Sequence, residues 1–139
     1  MSPPTVGERD RPGRSALIAA TTWTDGESVA LRRRMAAADC HAPHLIDAEL
    51  GSVLRRMTLR GQLAPELAAT LLLASPRLVT HRHDHRGSLA AVAWALRDNL
   101  SFYDALYVAL SAALDAPLIT ADARLASAPH LPCVTEVVG

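Results

Sequence analysis

The chain carries no surplus of either charge. Its 14 basic residues balance 14 acidic ones, for a formal net charge of +0. No global field therefore draws it towards nucleic acid or an anionic membrane, and any polyanion contact has to come from a local patch. Cysteine is scarce as well. Cys40 and Cys133 lie far apart and form no metal-ligand spacing, so they read as small core residues of a reducing compartment. No run approaches the roughly 18 apolar residues of a membrane span, and MSPPTVGERDRPGRS lacks the apolar segment of a secretory signal. These features place the protein in the cytoplasm, away from membranes. No internal repeat is visible.

What remains is aliphatic. Half of the 139 residues are apolar, mostly Ala, Leu and Val, while aromatics make up 4%. A chain of this length fits one domain with a sizeable core, and this composition favours a packed helical or α/β fold over disorder. Residues 1–14 hold three prolines, many charges and a single large aliphatic, Val6, and read as a disordered or atypical leader. SALIAATTW (15–23) is a short helix candidate, and Asp25 is placed to cap a second helix running to about residue 38. DCHAP is extended, and Pro43 is expected to open a long helix ending at Gly61. A further helix begins at Pro65. RLVTHRH (77–83) has strand character, Ser88 is expected to cap SLAAVAWALRDN, and FYDALYVALSAALDA is a strongly apolar helix. PLITA and CVTEVV complete the pattern as strands. Short apolar strands alternating with helices imply α/β architecture, a parallel sheet with helices on its faces.

Three carboxylates stand in apolar surroundings: Glu49, Asp104 and Asp122. Acids drawn together repel, and burial raises the cost of their charge. A divalent cation relieves that conflict, since hard oxygen ligands suit Mg²⁺ and Mn²⁺. On a helical wheel Ile46, Leu50, Val53 and Met57 form one apolar arc. Glu49 lies on its flank and Asp47 points further round, to solvent or a cap. Glu49 is either a boundary residue paired with an arginine or an inward-leaning ligand. Asp104 closes the capping box Ser101-Phe-Tyr-Asp104, and the helix dipole favours its ionised form in that role or as a ligand. Asp122, directly after PLITA, either caps a short helix or stands at a strand's carboxyl end, where open α/β sheets collect ligands. Thr120 is near enough to add a hydroxyl.

Arg56 and Arg60 fall close to Glu49 on the wheel and offer phosphate contacts; the alternative is a solvated face. Arg97 and Asn99 are weaker candidates of the same kind. His81, His83 and His85 alternate, so a strand would present them on one face as ligands for Zn²⁺ or Ni²⁺. Their polar neighbours point instead to an exposed strand end. Trp23 and Trp94 sit among apolar helical residues and read as core.

HAPHLIDAELGSVLRR, NLSFYDALYVALSAAL and APLITADARLA followed by LPCVTEV, in that order, resemble the PIN-domain ribonucleases, specifically the VapC-type toxins of bacterial toxin–antitoxin pairs. The similarity runs from about Ser15 to the end. It implies a single PIN-like domain over 15–139, a parallel sheet flanked by helices, and Mg²⁺- or Mn²⁺-dependent hydrolysis of RNA. By motif Glu49, Asp104 and Asp122 take three of the family's acidic metal positions. The resemblance also implies a cognate antitoxin, whose helix would lie on apolar faces around Leu17, Ile18, Leu31 and Met35, and a homodimer.

One departure stands out. The family opens with an apolar strand of the form V-V-D-A-S, whereas here Gly13 occupies about the place of the Asp. Asp10 is the nearest acid, behind Pro12 and Gly13, which oppose a regular strand. The expectation is a sheet without its central first strand, of low stability, with an incomplete metal site. The alternative function is then an impaired PIN-like domain that only binds its antitoxin.

Overall fold

A computed structural model describes residues 15–18, Met35, 38–120 and 122–137, the first four as backbone only. The expected leader, the helix from Asp25, Trp23 and Leu31 lie outside the described residues.

Among the described residues five strands form one parallel sheet: β1 (Ser15–Ile18), β2 (Asp39–Pro43), β3 (His81–His83), β4 (Leu118–Thr120) and β5 (Thr135–Val137), in the order β3-β2-β1-β4-β5. The helices are α1 (Leu45–Leu59), α2 (Pro65–Ala74), α3 (Ser88–Ala95), α4 (Phe102–Leu114) and the short α5 (Ala123–Ala126). The α/β parallel architecture expected from the sequence is present.

The centre of the sheet differs from the sequence expectation. Ser15–Ile18 is not helical. It is the central strand, with Leu17 opposite His41 on one side and Leu118 on the other. A four-residue apolar run carries too little periodicity to separate helix from buried strand. The slot between β2 and β4 decides it, because both edges of the segment find ladder partners there. The expected loss of the central strand is therefore corrected: β2 and β4 have their partner.

Several boundaries move for local reasons. Pro43 is the last residue of β2 rather than the first of α1. With no N–H to give, it sits at a strand end, and the next amide, His44 N, donates to His83 O at 3.0 Å. Gly61, with φ +72°, follows the α1 terminus, a left-handed position that glycine takes without steric cost. Residues 75–78 form a 3₁₀ turn, so strand structure in RLVTHRH is confined to 81–83. Gly87, not Ser88, is the N-cap of α3.

Every residue of α4 from Ala105 to Ser111 is buried, as an all-apolar helix requires. It packs across β1, β2 and β4, against Cys40, Ala42, Leu118 and Ile119. By contrast α3 buries only Leu89 and Ala93. Trp94, one position further round, is 61% exposed rather than core, with the Arg97 guanidinium 5.1 Å from its ring centroid.

Candidate acidic active site

The strand order reverses direction at β1. The chain first builds outward through β2 and β3, then crosses to β4 on the other side. Ligands of open α/β sheets collect at such a switch point, beyond the carboxyl ends of the strands. Helix α1 leaves that edge after β2 and α5 leaves it after β4. Helix α4 runs back into β4, so its N-terminus returns to the same edge.

Each of these three helices contributes one acid. Glu49 is half-buried on α1, between Ile46, Leu50 and Val53, and its Oε1 accepts a 2.7 Å hydrogen bond from the Tyr107 hydroxyl. Burial pushes the Glu49 carboxyl above its ordinary range; the Tyr107 bond pulls it back, and the charge of Asp104 raises it further. Asp104 is half-buried in the first turn of α4. Its carboxyl is also raised, first by burial and then by Asp122, against a lowering by Ser101 and Arg124. Asp122 caps α5, its Oδ1 accepting from Arg124 N at 2.9 Å and Leu125 N at 3.4 Å. The three carboxylates thus form one electrostatic chain, Glu49 to Asp104 to Asp122.

The local sequence explains the placement. Ser101 Oγ accepts from Asp104 N at 3.1 Å, which starts α4 one turn before its buried stretch. The buried Thr120 ends β4, and its hydroxyl oxygen accepts from Asp122 N at 3.0 Å, fixing the turn from strand to cap. Asp47 faces outward, as the wheel indicates, bound by Arg82 through Nε at 2.6 Å and Nη2 at 2.8 Å.

Two residues that sequence reasoning passed over belong to this site. Tyr107 follows Asp104 by three positions, the spacing that puts both on one helix face. Arg124 follows Asp122 by two, with Nε 3.6 Å from its carboxylate and its side chain almost fully exposed. Arg56 is exposed on α1 and Arg60 is exposed at its C-cap. Arg97 instead stacks on Trp94 and donates to its carbonyl at 3.1 Å.

A family model described as PIN domain matches residues 14–131. The chain belongs to the PIN domain family. Ribonuclease VapC1 of Mycobacterium tuberculosis is 44% identical over 124 residues, covering 89% of this chain and 93% of its own length. Ribonuclease VapC9 of the same species is 40% identical over 124 residues, covering 89% and 94%. Two solved structures share the fold. PAE2754 from Pyrobaculum aerophilum aligns with a TM-score of 0.64 and 19% identity over 88% of this chain and 91% of its own. VapBC2 from Rickettsia felis, bound to a DNA fragment from its promoter, aligns with a TM-score of 0.65 and 12% identity over 90% and 99%.

The donor set suits a hard divalent cation. It consists of carboxylate oxygens whose charges oppose one another and are partly desolvated, the condition a cation offsets. Within Ser15–Ile18 there is no acid to extend the set, and Asp10 and Asp25 lie outside the described residues.

The alternating histidines separate. His81 and His83 lie on β3 and His85 lies in the loop beyond it. His41 of β2 joins the first two: its ring stacks on His81 at a centroid distance of 4.5 Å, and its Nδ1 lies 2.8 Å from His83 Nε2.

Proposed function

We propose that this PIN domain chain is a metal-dependent endoribonuclease, the toxin of a type II toxin–antitoxin pair, with Glu49, Asp104 and Asp122 holding Mg²⁺ or Mn²⁺. The observation that carries the reading is that Glu49 and Asp104 are both raised, first by burial and then by one neighbouring acid each, Asp104 for Glu49 and Asp122 for Asp104, at the carboxyl edge of a parallel sheet. Relatives named as VapC ribonucleases at 40–44% identity support the activity. When bound, the cation would supply a polarised water and offset charge on the scissile phosphate.

The chain's own residues have separable tasks. Asp104 and Glu49 contribute negative charge. Tyr107 holds the Glu49 carboxylate in one orientation, and the α5 amides do the same for Asp122. Thr120 sets the turn that aims Asp122. Arg124, exposed beside Asp122, suits a phosphate contact that positions RNA without reading its sequence, and Arg56 and Arg60 extend a basic ridge along α1.

For the antitoxin, this proposal names a surface that lies within the described residues. Met35 is 2% exposed and belongs to the core, while nothing is described for Leu31 or for the side chains of Leu17 and Ile18. The apolar groove of about 250 Å³ between α1 and α2, lined by Leu54, Leu59, Ala68 and Leu72, better fits an amphipathic helix. A homodimer remains part of this proposal.

The decisive experiment is cleavage of RNA by the purified chain in Mg²⁺. It should stop on chelation, return on adding Mg²⁺ and vanish in Asp104→Asn; cleavage that ignores the metal would reject the reading. A second reading, an impaired domain that only binds its antitoxin, is favoured by the absence of an acid within Ser15–Ile18. Calorimetry without Mg²⁺ binding, alongside a copurifying antitoxin from the neighbouring reading frame, would establish it. In either reading Asp10→Asn should leave Mg²⁺ binding unchanged.

A further inference from the structure

The face of β2 and β3 turned away from the core carries a second cluster, chemically unlike the acidic site. Cys40 and Ala42 point into the core and are fully buried, so strand alternation sends Asp39 and His41 to the opposite face. The parallel register sets His41 opposite His81. Asp39, His41 and His81 can each offer one ligand atom, and these atoms all lie within 4.8 Å of one another.

We propose that Asp39, His41 and His81 form a binding site for a zinc-class transition metal, independent of the PIN nuclease reading. Two imidazoles with one carboxylate make a borderline-soft donor set that suits Zn²⁺ over Mg²⁺. Tetrahedral zinc with bonds of about 2.0–2.2 Å places neighbouring donors roughly 3.3 Å apart. His81 Nε2 and Asp39 Oδ2 already stand at 3.2 Å. Bringing His41 in from within 4.8 Å asks its side chain to rotate, while the backbones of Asp39, His41 and His81 are all held in paired strands. His83 Nε2 lies 2.8 Å from His41 Nδ1, close enough to act as the outer hydrogen-bond partner of His41 once its ring has turned to the metal. Water completes the fourth position. The two contributing strands are neighbours and β3 is the sheet edge, so the metal would pin an edge strand to the sheet.

The test is calorimetric titration of tag-free, metal-stripped full-length chain with Zn²⁺ in excess Mg²⁺, which keeps the acidic site occupied. One zinc equivalent should bind. His81→Ala and Asp39→Asn should each weaken it by at least about 100-fold, more than the 10–100-fold typical of a lost outer-shell partner, and Asp104→Asn should leave it unchanged. Zinc should raise the melting temperature of the native chain and not that of His81→Ala. His81 is exposed, so its removal spares the fold; His81→Gln, which keeps the bulk, serves as the second variant if the alanine form unfolds. Absence of a zinc equivalent would overturn the proposal. So would a zinc equivalent lost in Asp104→Asn and retained in the His81 variants, which would assign the ion to the acidic site.

Discussion

Tyr107 of α4 donates a 2.7 Å hydrogen bond to Glu49 of α1 across 58 positions of sequence. The bond ties the most buried helix to the helix that carries the boundary acid, and it lowers the Glu49 carboxyl against the burial that raises it. Burial, and after it the same carboxylate, pushes the Tyr107 phenol far above its ordinary range, so the hydroxyl stays a donor at every working pH.

Tyr107→Phe keeps the ring and removes only the donor. A hydrogen bond to a charged group contributes about 1.5–3 kcal/mol, so cleavage should fall by roughly 10- to 100-fold where Glu49 acts ionised. The Glu49 titration should move further up in carbon-detected NMR. An unmoved Glu49 would show that the bond does not set its ionisation.

Asp122→Asn separates charge from capping. Asparagine caps a helix about as well as aspartate, so the melting temperature should change little while Mg²⁺ binding and RNA cleavage fall by at least about 100-fold, beyond the loss expected for an outer-shell partner. Asp122→Ala should lose the cap as well, about 1 kcal/mol of stability by chemical denaturation.

The raised carboxyls of Glu49 and Asp104 give stability a definite pH dependence. In the metal-free protein the folded state holds these protons more tightly than the unfolded chain. Their contribution therefore favours folding at acid pH and declines as pH rises from the unfolded carboxylate range through the raised folded values. Mg²⁺ needs the ionised forms, so its affinity should rise across that same interval and offset the loss. Melting curves from pH 4 to 7, with Mg²⁺ and with chelator, should diverge as pH increases. Parallel curves would refute the coupling.

Arg82 grips both Asp47 oxygens and also donates to Val79 O at 3.1 Å and Pro76 O at 3.0 Å, joining β3, the 3₁₀ turn and α1. Arg82→Ala should cost about 1–3 kcal/mol in urea unfolding. Arg82→Lys should recover little, because an ammonium cannot reproduce a planar fork of donors. Full recovery by lysine would reduce the contact to simple charge.

Local chemistry made several features legible in the linear chain. The apolar run after Ser101 could only be a buried helix, and Ser101 itself stands at its cap. LIT before Asp122 reads as a buried strand whose end must expose the acid, and the wheel through Ile46, Leu50 and Val53 turns Glu49 inward and Asp47 outward. Those inferences rest on periodicity and capping, which act over a few residues. Tertiary structure alone decided what depends on partners distant in sequence. SALI has the composition of either a helix or a strand, and becomes β1 because β2 and β4 offer hydrogen bonds on both sides. Trp94 has core character, and lies outside because the fully buried positions of α3 are Leu89 and Ala93. The bond between Tyr107 and Glu49 and the meeting of His41 with His81 arise from helix packing and strand register, which no local pattern encodes.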